Sequence, residues 1–373
     1  MLTKFEVTNF RGFKEKLSFD LTDSRDYQFN PECVKDGVIN KGIILGPNGS
    51  GKSNLGLAML DLTQHLTDFN ESVLYQSYLN AESGDNLAEF RYEFIFNDIP
   101  LVYEYGKFDK NMPMYERMKI DGQLVIEIDR RNNDSEVFIE LDGAETLKRD
   151  GVRSSLISIV TYVSKNALLS TDSRVNIVFD LFIAFVKKML YFRSLDGNRF
   201  VGFDVKGRSI ENDIIERGNV KRFQEFLDRV GLNYNLEASD VGDDKELLIV
   251  FEDKKMPFYD LVSTGTKALS LFYFWLQRLK YNGVTFLFID EFDAFYHFKL
   301  AKNIVEILKD LPVQVFMTTH NTSLLNNDIF RPDSCFILDK NQIQPVFKLS
   351  DRELREAHSL EKMFRGNAFE ISG

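Results

Sequence analysis

Lys41-Gly-Ile-Ile-Leu-Gly-Pro-Asn-Gly-Ser-Gly-Lys-Ser-Asn54 is the stretch on which the reading of this chain turns. Gly46, Gly51, Lys52 and Ser53 fill the G-x-x-x-x-G-K-[ST] pattern, and Gly42 to Leu45 ahead of it reads as a short buried strand. Behind it Leu55, Leu57, Ala58, Leu60 and Leu62 give the apolar spacing of a helix, expected to run to about Asp68. This is a P-loop in its expected setting. The segment Gly46-Pro47-Asn48-Gly49-Ser50-Gly51 turns backbone N–H groups inward around phosphate oxygens, and Lys52 reaches the terminal phosphates as a point charge. The Ser53 hydroxyl is placed for Mg²⁺, and Asn54 belongs to the helix start, whose positive end faces the anion.

A second signal lies far downstream. In Thr285-Phe-Leu-Phe-Ile-Asp-Glu-Phe-Asp293, four large apolar residues end in Asp290-Glu291, which describes a buried central strand delivering two carboxylates at its C-terminal end. That is a Walker B strand, and it supports the P-loop reading. Val313-Gln-Val-Phe-Met-Thr-Thr-His320 is a second buried strand, ending in a histidine.

Between and around these signals the chain is punctuated clearly. Residues 3 to 9 and Leu17 to Leu21 alternate and form an expected hairpin around an Arg11-Gly12 turn. Residues 88 to 97, 100 to 105, 114 to 120, 123 to 129 and 136 to 141 are short, aromatic or β-branched, and separated by Asn-Asp, Asp-Gly and Asn-Asn. They predict an antiparallel meander. Arg153 to Leu169, Asp172 to Phe192 and Glu211 to Val230 carry helical spacing. Strands are expected at Leu236 to Ala238, Glu246 to Phe251, Cys335 to Leu338 and Gln342 to Phe347. A long helix is expected up to Lys280, another over 297 to 309, and a helical tail over 351 to 365.

The division that follows is an N-terminal lobe over 1–68, an insertion of meander and helices over 69–230, a C-terminal lobe over 231–350, and a tail over 351–373. The expected fold class is α/β: a P-loop core with a mixed sheet, an antiparallel β lobe and an inserted β-plus-helical subdomain.

With 373 residues and a net charge of -11, a surface basic throughout is excluded, so any nucleic-acid contact must be local. One section is locally basic: Lys148 to Arg222 holds 14 Lys or Arg against 8 Asp or Glu. Cys33 and Cys335 make neither a disulfide ladder nor a metal-ligand spacing, as expected of core residues in a reduced protein. The N-terminus lacks an apolar signal core, and the run Ile177 to Val186 contains Asp180 and stops at Lys187-Lys188, too short and charged to span a bilayer. The expected location is the cytoplasm, away from membranes.

Gly46 to Ser53, Ser263-Thr-Gly-Thr266, Phe288-Ile-Asp-Glu291, Asp293 and His320 stand in the order used by ABC-type ATPases. The chain resembles the branch of the structural-maintenance-of-chromosomes (SMC), RecF and OLD-type proteins. Within it the chain is similar to the compact AAA-family ATP-binding proteins of bacterial anti-phage and abortive-infection operons, of the RloA or AriA kind. Phe5-Glu-Val-Thr-Asn-Phe-Arg-Gly-Phe13 and His358-Ser-Leu-Glu-Lys-Met-Phe-Arg365 carry that part of the likeness.

The resemblance implies ATP and Mg²⁺, with Ser53 and Asp290 on the metal, Glu291 orienting and deprotonating the attacking water, and His320 sensing the γ-phosphate. It implies that Ser263, Gly265 and Thr266, a shortened signature, and Asp293, a D-loop residue, act on nucleotide held by a second copy. Two chains would then close head to tail. By the same analogy Arg11 lies near the base or ribose. The Q-loop glutamine is not placed; Gln64 and Gln76 are the candidates.

The leading functional expectation is an ATPase whose dimer or larger assembly closes on ATP, reopens on hydrolysis, and controls a separate effector, a toxin or nuclease, in anti-phage defence. The alternative is a DNA-binding repair or recombination ATPase of the RecF or SMC kind, using the basic 148 to 222 section through Lys187, Lys188, Arg193 and Arg199. A third is a nucleotide-gated scaffold in which Glu291 is dispensable.

Overall fold

The computed structural model describes residues 1–67, 75–132, 136–153, 155–194, 200–202, 210–216, 218–241, 244–281 and 283–369. Two seven-stranded sheets organise them, with the P-loop helix Lys52–Leu66 held between.

The central sheet takes its strands in the spatial order Phe200–Gly202, Met189–Arg193, Phe286–Asp290, Gln314–Thr318, Lys41–Leu45, Cys335–Asp339 and Gln342–Pro345. The inner five run parallel, and the two edge strands antiparallel to their neighbours. Parallel strands covered on both faces must be apolar throughout, and Lys41–Leu45, Phe286–Asp290 and Gln314–Thr318 are buried at every position. Alternate side chains therefore enter two different cores. Ile44, Phe286, Phe288 and Phe316 face one; Ile43, Leu45, Leu287, Ile289 and Val315 face the other.

The second sheet is antiparallel, in the order Phe138–Ile139, Gln123–Asp129, Pro113–Ile120, Ile99–Lys107, Ala88–Phe96, Leu2–Thr8 and Leu17–Asp20. The meander expected from the sequence is present strand by strand, but it is not a body set apart. Ala88–Phe96 pairs directly with Leu2–Thr8, so the opening hairpin and residues 88–139 form one lobe. Met189–Arg193 likewise belongs to the central sheet, beside the Phe286–Asp290 strand. The expectation of a single insertion over 69–230 is corrected by these pairings. So is the helical reading of Asp172 to Phe192: the helix Arg174–Val186 ends at Lys187-Lys188, and the apolar run after it is a strand.

The helix Lys52–Leu66 is buried nearly all round because both sheets cover it. Tyr75 donates its hydroxyl to the Leu57 carbonyl, and Tyr92 donates to that of Ala58, each at 2.8 Å. Beyond the central sheet lies a second apolar core. There the helices Ile210–Glu216, Val220–Arg229 and Thr264–Tyr281 pack with a three-stranded sheet of Leu236–Val241, Asp244–Val250 and Lys255–Pro257. A buried Arg278 bridges Asp213 at 3.0 Å within it. Among the described residues the tail is helical only over Leu360–Arg365; residues 351–359, expected to be helical, are not. Among the described residues no helix is long and apolar enough to cross a membrane.

Candidate functional site

The P-loop turns on glycines. Gly49 and Gly51 have φ of 80° and 100°, which side-chain-bearing residues rarely adopt, and a Cβ on Gly46 would stand 2.2 Å from the Leu338 carbonyl oxygen. Lys52 Nζ donates to the carbonyls of Gly46 and Pro47, at 2.8 and 2.9 Å, so the ammonium is drawn across the mouth of its own loop. Burial lowers its pKa, while the carboxylates of Asp290 and Glu291 pull in the opposite direction. The Ser50 hydroxyl is buried without a partner beside Gly46.

The opening Phe10-Arg-Gly-Phe13 is a tight turn that leans on this loop. Phe10 and Phe13 exchange backbone hydrogen bonds at 2.9 and 2.8 Å, and Arg11 takes φ 52°. The Phe13 ring lies against Gly51, and a Cβ on Gly12 would stand 2.8 Å from Asn54 Nδ2, so the Asn54 side chain would have to shift. The turn thereby aims Arg11 at the phosphate-binding loop. Burial lowers the pKa of its guanidinium, with the charge of Arg193 acting in the same direction.

A cavity of about 800 Å³ opens there, lined by Arg11, Asn48, Gly49, Gly51, Lys52, Ser53 and Asn54 from the N-terminal elements, and by Glu291 and His320 from the distant strands. Gln76, Ser77, Tyr191, Arg193 and Leu57 complete its lining. Residues far apart in sequence meet here because Lys41–Leu45, Gln314–Thr318 and Phe286–Asp290 are consecutive parallel strands, which all end on the same edge.

Asp290 stands behind this lining, fully buried. Its Oδ1 accepts from the Thr318 hydroxyl at 2.7 Å and its Oδ2 from the Tyr191 hydroxyl at 3.2 Å. Glu291 leaves the strand with φ 51°, its amide donating to Thr318 Oγ1 at 2.7 Å. A non-glycine residue held there stores of the order of 1–3 kcal/mol, a pattern found at functional sites. Glu291 Oε2 is buried with no hydrogen-bond partner. Arg193 lies beside both acids, with Nε 3.4 Å from Asp290 Oδ2 and Nη2 3.7 Å from Glu291 Oε2.

His320 is exposed and lines the cavity directly after Thr318 and Thr319. Asp293, Ser263, Gly265 and Thr266 do not line it. Asp293 accepts from Thr319 Oγ1 at 2.7 Å, and burial raises its pKa. Ser263 caps the helix Thr264–Tyr281, accepting from the Thr266 amide at 3.3 Å, and Gly265 sits against the Phe295 carbonyl. Of the two glutamines in question, Gln76 reaches the cavity; Gln64, on the P-loop helix, is absent from its lining.

Sequence reasoning passed over Tyr191 and Thr318, and read Arg193 only as part of a basic surface. Met189-Leu-Tyr-Phe-Arg193 is an apolar run closing in a charged residue, the same form as Phe286–Asp290, and that parallel was the available signal.

A family model described as "AAA domain, putative AbiEii toxin, Type IV TA system" matches residues 43–326. No curated protein matches the chain. Among solved structures, the SMC head domain from Thermotoga maritima is similar at 15% identity, over 92% of this chain and 98% of that one, with a TM-score of 0.43. An SMC head bound to the C-terminal winged-helix domain of ScpA is similar at 15% identity, over 92% and 96%, with a TM-score of 0.47. An SMC head with an extended coiled coil, bound to a ScpA C-terminal domain and derived from Pyrococcus furiosus, gives 13% identity over 92% and 95%, with a TM-score of 0.44. Because the family match takes in well over half of the 373 residues, this chain belongs to that AAA domain family, and its α/β core carries the P-loop at the end of a central parallel strand.

Proposed function

We propose that this chain binds and hydrolyses ATP with Mg²⁺ and uses the cycle as a switch that closes two copies head to tail. The observation that carries the reading is the convergence of Lys52, Ser53 and Glu291 on one cavity, with Asp290 directly behind Glu291. Three cations, Lys52, Arg11 and Arg193, line this space, a match for a polyanion. The unpartnered Ser50 hydroxyl marks a polar cradle at the loop.

The donor set fits Mg²⁺, a hard cation that takes oxygen ligands: the Ser53 hydroxyl and the Asp290 carboxylate would hold it. When bound, the ion would neutralise phosphate charge. Everything else falls to the chain. Lys52 exchanges the carbonyls of Gly46 and Pro47 for phosphate oxygens, a charge-assisted contact in place of a charge–dipole one. Glu291, with an oxygen that lacks a donor, accepts the proton of an attacking water. His320 stands where the terminal phosphate would be felt. Ser263, Gly265, Thr266 and Asp293 lie outside the cavity of their own chain, as expected of residues that serve a second copy's nucleotide.

The output we assign is control of a separate effector in anti-phage defence, a reading that rests on the sequence resemblance; the family description itself names a toxin–antitoxin system. The nucleic-acid reading loses one of its four cations, since Arg193 faces the nucleotide cavity; Arg199 lies outside the described residues.

Glu291→Gln tests the switch. Phosphate release should fall about a hundredfold or more, while the variant retains ATP and shifts to a larger species in sizing columns. A variant that neither holds ATP nor associates would end the reading, and undiminished turnover would favour the scaffold.

A further inference from the structure

We propose that Arg193 is an exchange cation of this site: its guanidinium rests between the carboxylates of Asp290 and Glu291 and moves onto the terminal phosphate of ATP when the nucleotide enters. The inference rests on the ATP reading above and deepens it by naming how the chain tells a triphosphate from a diphosphate.

The placement argues for exchange rather than for a fixed ion pair. Arg193 ends the strand Met189–Arg193, which pairs in register with Phe286–Asp290 so that Arg193 stands opposite Asp290 itself. Both acids are therefore within its reach, at 3.4 and 3.7 Å, but neither approach makes a hydrogen bond, and Nε and Glu291 Oε2 are both left without one. Asp290 does not depend on the arginine. Thr318 and Tyr191 already serve its two oxygens. A guanidinium held by charge alone, on a side chain still 31% exposed and lining the cavity, can leave without breaking a hydrogen bond.

The phosphate offers more than it gives up. A guanidinium presents a planar fork of donors that engages two phosphoryl oxygens at once. Lys52 and Arg11 share the cavity with Arg193, so three positive groups crowd one space. An entering triphosphate relieves that crowding, and the terminal phosphoryl group, the one nearest Glu291 in the assigned chemistry, is the group a diphosphate lacks. Recognition of the terminal phosphoryl group is thereby given to one side chain of the lining.

Calorimetric binding of a non-hydrolysable ATP analogue and of ADP to the full chain tests this without recourse to turnover. Arg193→Ala should weaken the triphosphate by about ten- to a hundredfold, as for the loss of a charge-assisted contact, and leave ADP close to the parent value. Arg193→Lys should recover part of the difference, since it keeps the charge and loses the fork. Should Arg193→Ala fail to fold, as judged by its melting curve, Arg193→Gln carries the comparison. Equal weakening of both nucleotides, or of neither, would overturn the inference and leave the ATP reading standing. A parent chain that binds neither nucleotide would overturn both.

Discussion

Thr318 holds both Walker B residues from one oxygen: its hydroxyl proton goes to the Asp290 carboxylate at Oδ1, and its lone pair takes the backbone amide of Glu291, each at 2.7 Å. The threonine is fully buried at the end of the neighbouring parallel strand, so the position of the acids is set by inter-strand register. Thr318→Val keeps the shape and removes both contacts. It should cost about 1–3 kcal/mol, the penalty for leaving buried polar groups unpaired, in urea unfolding. Phosphate release should fall further than ATP affinity does, because Glu291 is released from φ 51° while the P-loop is untouched.

Gly56 sets two opposing effects against each other. It lies mid-helix, where alanine would gain about 0.5–1 kcal/mol in backbone entropy. A Cβ there would meet the Phe288 ring at 2.6 Å and the Tyr191 ring at 2.7 Å, both within the core. Overpacking costs about 1–3 kcal/mol, so Gly56→Ala should lower the melting temperature. It should also weaken nucleotide binding, since Tyr191 carries a hydrogen bond to Asp290.

Farther along the P-loop helix, Asp61 accepts from Lys107 Nζ at 2.8 Å and from the Tyr105 hydroxyl at 2.9 Å, with both charged side chains about 1% exposed. Lys107→Met strands a buried carboxylate and should destabilise the protein by about 3–5 kcal/mol. Adding Asp61→Leu should recover much of that loss. A double variant no more stable than Lys107→Met would show that the pair is not what Lys107 supplies.

Glu116 gives a pH prediction. Burial pushes its carboxyl upward, but His65, Arg130 and the Ser158 hydroxyl outweigh this and hold it down at about 2, against an ordinary 4.5. It accepts from Tyr103 at 2.8 Å and from the Ile159 amide at 3.0 Å. A carboxyl depressed by folding adds stability that is complete above 4.5 and lost as pH falls toward about 2. Glu116→Gln should therefore be clearly less stable than the parent at neutral pH, with the gap narrowing as the solution is acidified below 4.5. A gap constant with pH would contradict the assignment.

Much of the site was legible because its parts are local. The P-loop's glycines and the apolar strands closing in Asp290-Glu291 and His320 each announce themselves within a dozen residues. The meander was legible through its turns: Asn97, Asp98, Asp121 and Gly122 all have positive φ, as tight hairpins require. What escaped was settled at a distance. Met189-Leu-Tyr-Phe-Arg193 is apolar on every side, so its periodicity does not separate strand from helix, and only the neighbouring Walker B strand decides it. Gln76 reaches the cavity from a stretch with no regular spacing. The pairing of the meander with the first strand is likewise a long-range event, and hydrophobic pattern does not say which sheet a strand joins.

The strand order of the central sheet carries a consequence for how the molecule is made. Lys41–Leu45 lies between Gln314–Thr318 and Cys335–Asp339, with Ile43 paired to Met317 on one side and to Cys335 on the other. During synthesis the strand that leads into the phosphate loop thus precedes both of its sheet neighbours, which are made only after the Phe286–Asp290 strand. A chain that stops before Gln314–Thr318 would carry its lysine without either of the strands that flank Lys41–Leu45. The framework around the loop is therefore completed by residues that follow it in the chain.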